Sequence, residues 1–180
     1  MLMDMRLAVF LDRDGVINRA VVREGKPYPP SNLRDLEILP GVPEALALLH
    51  KAGFMLIVVT NQPDVSRGTI SKAVVEEINN YLFNCLPIDE FRTCYHDNLD
   101  NCKCRKPLPG SLLLAANQHC IDLSKSYIIG DRWSDIAAGQ NAGCLTIFVD
   151  YGYAEKQPAS ATHCVGCLSE ATQIILGEIK

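Results

Sequence analysis

The 180-residue sequence contains no apolar stretch able to cross a bilayer: its longest apolar run, residues 54–59, has six members, against about 20 for a spanning helix. The opening residues 1–6 lack the apolar centre of a secretory leader, so a cytoplasmic protein without a membrane partner is expected. Excess positive charge is missing too. With 17 Lys and Arg against 21 Asp and Glu, the net charge is -4 and the pI near 5.5, which leaves no electrostatic footprint for nucleic acid. Internal repeats and low-complexity segments are absent, and the 48% hydrophobic, 21% charged composition is that of a folded protein rather than a disordered one. A single domain over 1–180 is expected. Nothing in the composition decides the oligomeric state, and a monomer serves as the working expectation.

What is present alternates. Short apolar runs at 7–11, 54–59, 91–94, 127–129 and 144–149 read as strands, and helical patterns open at Gly41-Val42-Pro43 and cover about 71–84, 109–120, 134–142 and from about 169 onward. That rhythm predicts an α/β fold on a parallel sheet flanked by helices. Residues 26–30 read as a proline-rich loop, and 95–107 as a loop without periodicity. In such sheets ligands bind beyond the carboxyl ends of the strands. Asp12 and Asp14, Thr60 and Asn61, and Asp131 each follow an apolar run, so three strands would bring them to one edge.

Residues of that kind suit phosphoryl transfer. In Phe10-Leu11-Asp12-Arg13-Asp14-Gly15, two carboxylates one residue apart at a strand end can face the same pocket. One can attack phosphorus while the other donates a proton to the leaving oxygen and then activates water. Two acids alone would repel a phosphate; Mg²⁺, with its preference for oxygen, would neutralise the pair, and Asp131 is the best further ligand. Lys106 supplies a positive charge for the phosphoryl oxygens, with Thr60 and Asn61 as further phosphate contacts. Taken singly, each motif also reads as a solvated turn or a helix cap; the ordered set does not.

Cys94-x-His96-x5-Cys102-x-Cys104 is an array of three thiols and one imidazole, the donor set of a closed, structural zinc site in a loop spanning 94–104. Cys85, Cys120 and Cys144 read as small core residues, His163, Cys164 and Cys167 lack a fourth nearby ligand, and His50, His119 and Trp133 read as packing or surface residues.

Asp12-x-Asp14, Thr60, Lys106 and Gly130-Asp131-x3-Asp135 occur in the order of the four motifs of the haloacid-dehalogenase-like hydrolases, a family the sequence resembles over about residues 6–150. The resemblance implies a Rossmann-like sheet, Asp12 as nucleophile, Asp14 as general acid/base, and Mg²⁺ held by Asp12, the Asp14 carbonyl and Asp131, with Asp135 supporting. No insertion large enough for a cap domain is visible, so a small open site is expected. The Cys/His loop followed by Cys104-Arg105-Lys106-Pro107 is similar to the branch of heptose 1,7-bisphosphate and histidinol-phosphate phosphatases. Arg67-Gly68 after Thr60-Asn61-Gln62 leans toward the heptose enzymes, with Arg67 and Arg105 gripping a second phosphate or sugar hydroxyls. Histidinol phosphate would instead need an acidic pocket, from Glu24 or Asp64. Pro63-Asp64-Val65-Ser66 and Arg132 depart from the heptose pattern. A binding module that kept the fold but not the chemistry would need a damaged nucleophile or a lost lysine, and neither is seen.

Overall fold

The computed structural model describes residues 5–179. Six parallel strands form one sheet: β1 (Ala8–Leu11), β4 (Met55–Asn61), β5 (Glu90–Cys94), β6 (Tyr127–Gly130), β7 (Leu145–Val149) and β8 (His163–Val165), in the order β5-β4-β1-β6-β7-β8. Counted along this sheet alone, that is the 3-2-1-4-5-6 order of a Rossmann-like fold, and the expected α/β architecture is the one observed.

The central strands are continuous apolar runs because both of their faces are covered. Val9 and Leu11 of β1 turn to one layer with Leu46 and Leu49 of α1 (Val42–Lys51), Ile78 and Leu82 of α2 (Lys72–Cys85), and Ile175 of α5 (Leu168–Glu178). Ala8 and Phe10 turn to the other, with Leu112 and Ala115 of α3 (Gly110–His119) and, partly buried, Ala142 of α4 (Trp133–Ala142). The period of two along one strand thus builds a three-layer molecule. Helix ends follow local chemistry. The Ser71 side chain accepts from the Val74 N–H to cap α2, and Gly143, at φ 85°, closes α4 in the left-handed region. Among the described residues no helix is long and apolar enough to cross a membrane.

Two expectations change, and one strand was not foreseen. Residues 26–30 are not all loop: Lys26–Tyr28 is strand β3, paired antiparallel with β2 (Val21–Arg23) through Glu24-Gly25, both at positive φ. The hairpin hides in the sequence because Glu is an unusual residue for that turn and because Pro27 demotes a strand reading. An isolated two-stranded ribbon has free edges that tolerate the missing N–H. Strand β8 is only three residues long, too short for a periodic signal. Of the three cysteines expected in the core only Cys144 is buried; Cys85 is exposed as the last residue of α2, and Cys120, half-buried, caps α3 at φ 55°.

Phe10 is fully buried at the sheet centre. Phe10→Ala is expected to lower unfolding free energy by about 3–5 kcal/mol, read from the urea midpoint at unchanged m-value.

Candidate active site and metal centres

The strand order reverses between β1 and β6, and a crevice for ligands opens at that switch point. The Asp12 N–H donates to the Ile129 carbonyl (2.9 Å), so the ends of the two strands are fastened together and Asp12 meets Asp131 across the crevice. Two glycines permit the crowding. A Cβ at Gly15 (φ 92°) would collide with the Asp131 carboxylate, and one at Gly130 with the side chain of Asp135.

Carboxylate oxygens of Asp12, Asp131 and Asp135 lie within 4.8 Å of one another, all three residues being buried. Lys106, itself buried on the loop after β5, reaches Asp12 Oδ1 at 2.9 Å, Asp135 Oδ1 at 2.6 Å and the Val59 carbonyl at 2.6 Å. Burial alone would lower the Lys106 pKa, but the two flanking carboxylates hold it above its ordinary value. Asp12 is pushed up to about 6, burial and Asp135 outweighing the pull of Lys106. Asp131 is raised well above the carboxylate range by burial and by repulsion from Asp12 and Asp135. Its two oxygens have no hydrogen-bond partner, whereas Asp135 is occupied by Lys106 and by the Arg132 N–H (2.9 Å). An unpartnered buried carboxylate beside a second one is the arrangement a hard cation relieves, so these residues fit Mg²⁺.

The expected phosphate contacts divide. Thr60 and Asn61 are the last residues of β4 and line the crevice with Asp12, Asp14, Lys106 and Arg132. Asn61 is also a strut, its amide giving to the Lys106 carbonyl (3.0 Å) and its carbonyl oxygen taking the Lys106 N–H (3.1 Å). Arg67 and Arg105 do not line the crevice. Arg67 is paired with Asp97 (2.7 Å) and Asp64 (3.2 Å), and Arg105 gives to Asn98 Oδ1 (2.9 Å), so both tie loops together. The cavity measures about 50 Å³, room for a phosphoryl group with the rest of a substrate outside it. Its lining includes Pro27 and Tyr28 of the hairpin and Pro29 just after it, which the sequence did not reveal. Arg132 at its rim is held by Glu155 (2.6 Å), which keeps its pKa above the usual arginine value. A larger cavity of about 280 Å³ lies behind Gly15, lined by Tyr151, Tyr153 and Val22, and holds none of the acidic cluster.

Cys94, His96, Cys102 and Cys104 converge as a second centre. The Sγ–Sγ distances are 3.2 Å for Cys94–Cys104 and 3.8 Å for Cys94–Cys102, and His96 Nδ1 lies 3.4 Å from Cys104 and 3.7 Å from Cys94. These are too long for disulfides, whose S–S bond is about 2.05 Å, and close to the edges of about 3.8 Å of a tetrahedron with 2.3 Å Zn–S bonds. The soft donor set and its spacing fit zinc. Burial pushes the Cys94 thiol up to about 12, so a bound cation would have to displace its proton.

Residues 103–171 match the HAD-hydrolase-like family. A D-glycero-beta-D-manno-heptose-1,7-bisphosphate 7-phosphatase of Helicobacter pylori is 38% identical over 146 residues, covering 78% of this chain and 81% of that protein. One of Escherichia coli K12 with the same name is 36% identical over 151 residues, covering 77% and 76%. The crystal structure of D,D-heptose 1,7-bisphosphate phosphatase from B. bronchiseptica, complexed with magnesium and phosphate, superposes with a TM-score of 0.82 at 29% identity, over 97% of this chain and 99% of that one.

The raised Asp12 pKa sets a pH dependence for the metal-free protein. A carboxyl that titrates at about 6 when folded and 3.8 when unfolded binds more protons in the native state. Its contribution to stability is therefore full below pH 4 and is lost as pH rises through about 6, by up to about 3 kcal/mol. Urea unfolding with chelator at pH 4.5 and 7.5 is expected to show this loss for wild type and less of it for Asp12→Asn.

Proposed function

The chain belongs to the haloacid-dehalogenase-like hydrolases, and on that premise we propose that it is a Mg²⁺-dependent phosphatase of a sugar bisphosphate, D-glycero-D-manno-heptose 1,7-bisphosphate, cleaving at the 7-phosphate. That it is a phosphoric monoester hydrolase follows from its relatives; the substrate and the residue roles are our reading. The observation that carries it is the buried Asp12, held by Lys106 in a crevice of phosphoryl size beside an Asp131 whose oxygens lack partners. We read residues 1–180 as one catalytic domain acting in the cytoplasm, with zinc held at 94–104.

In this reading the Asp12 carboxylate attacks phosphorus and the bond to the sugar oxygen breaks, Asp14 giving that oxygen its proton. The phosphoryl group is then an acyl phosphate on Asp12. Asp14, now ionised, takes a proton from water as the water oxygen attacks phosphorus, and Asp12 departs as a free carboxylate. Lys106 and Thr60 hold the phosphoryl oxygens through both transfers, and Asp135 keeps Lys106 aimed. Asp12, the Asp14 carbonyl and Asp131 would hold Mg²⁺, whose charge would offset the negative charge gathered by phosphate and carboxylates. The sugar and its second phosphate would lie outside the small crevice, where Arg132 stands at the rim. Arg67 and Arg105 would reach them only by giving up their present partners. Histidinol phosphate is less well served, because Asp64 is already matched by Arg67 and Glu24 is exposed on the hairpin turn.

Heptose 1,7-bisphosphate is expected to exceed histidinol phosphate in kcat/KM; equal or better turnover of histidinol phosphate would reverse the assignment. Acid-quenched enzyme is expected to carry one phosphoryl group on Asp12 by peptide mass analysis, and Asp12→Asn to lose both the adduct and turnover while keeping its fold. Metal analysis should find one zinc per chain, reduced in Cys104→Ser, and removal of that zinc should lower thermal stability in a way that added Mg²⁺ does not restore.

A further inference from the structure

We infer that Arg13 is a positioning residue for Asp14, fixing the orientation of its carboxylate for proton transfer. The inference rests on the reading of Asp14 as general acid. Arg13 has no exposed surface and is the largest fully buried side chain of the described residues. Its Nε and Nη2 reach Asp14 Oδ1 at 3.2 and 3.1 Å, and Nη2 also reaches Oδ2 at 3.0 Å. The remaining edge of the guanidinium is anchored. Nη1 gives to Asn79 Oδ1 of α2 (2.9 Å), and Asn79 Nδ2 gives in turn to Thr93 Oγ1 of β5 (3.0 Å). Asn18 Nδ2 to Oδ1 (3.0 Å) and Gln62 Nε2 to Oδ2 (2.8 Å) complete the hold on Asp14.

Stability is a poor reason for this arrangement, since sequestering a guanidinium from water is expensive and well-packed apolar side chains of the same volume commonly serve a core as well or better. Geometry is a better one. A planar fork bonded to both a carboxylate and a fixed amide sets the carboxylate's orientation, which a lysine ammonium cannot do. Asp14 follows the end of β1, where the ladder no longer restrains it, and a misplacement of about 1 Å in a reacting group can cost about 100-fold. The anchors lie on α2 and β5, outside the crevice, so the orientation of Asp14 is set by the body of the protein.

The test compares kcat/KM on two esters. A sugar phosphate has a poor leaving group that needs a proton, whereas p-nitrophenyl phosphate releases a stable anion that does not. Arg13→Lys is expected to lose about 10–100-fold on the sugar phosphate and under about 3-fold on the aryl phosphate, a partial loss of the roughly 100–10,000-fold that general acid catalysis supplies. Asn79→Leu, which keeps Arg13 but removes its anchor, should show the same selectivity at smaller size and covers the case in which Arg13→Lys does not fold. Asp14→Asn is the control. If Asp14→Asn is selective for the sugar phosphate while the soluble Arg13 and Asn79 variants lose both activities equally, or neither, the positioning inference is overturned. If Asp14→Asn is itself unselective, the general-acid reading beneath it fails.

Discussion

Asp12, Asp131 and Asp135 crowd around a single buried ammonium, Lys106, that bonds two of them and leaves the third without a partner. Like charges in a dry crevice repel, and one cation cannot balance three anions. The site is therefore built electrically incomplete. Asp135 has both a charged partner, Lys106, and a main-chain N–H, so the deficit falls on Asp12 and Asp131, whose pKa values are both raised. Asp12 and Asp131 would hold a divalent cation, whose charge would answer the deficit and admit a phosphate dianion to a pocket that would otherwise reject it.

The rest of the fold holds that cluster in place. Parallel strands β1 and β6 deliver Asp12 and Asp131 from the two sides of the switch point, and the glycines at 15 and 130 leave room for the side chains of Asp131 and Asp135. Lys106 comes from a loop with little apolar packing of its own. That loop is braced by the reciprocal Asn61 bonds to the Lys106 backbone, by the Arg67–Asp97 pair, by Ser66 donating to Asp100 and by the Cys/His cluster that starts at the end of β5. A metal in the Cys/His cluster would act on the chemistry at a distance, through the placement of one lysine.

Much of this was legible because it depends on short-range rules. Apolar runs and helical periods disclosed the central strands and helices, and carboxylates after strands pointed to the crevice, since a strand end places its last side chains predictably. The convergence of the three cysteines and His96 could be foreseen because all lie in one stretch of 11 residues, where spacing alone limits what can meet. Less visible was the hairpin at 21–28, whose turn residues are atypical, and the exposure of Cys85, which depends on where a helix ends.

By itself the sequence determined the α/β class, the acidic and thiol clusters and the order of their motifs, because each is carried by residues near in the chain. Only the tertiary structure decided that Arg67 and Arg105 spend their charge on neighbouring loops, that Arg13 lies buried beneath Asp14, and that Asp131 is the carboxylate left unpaired. Those outcomes turn on which partner a charged group meets: Arg67 could have kept only Asp64 three residues away but also takes Asp97, 30 residues on, and Arg13 is anchored by Asn79, 66 residues on, which folding alone brings within reach.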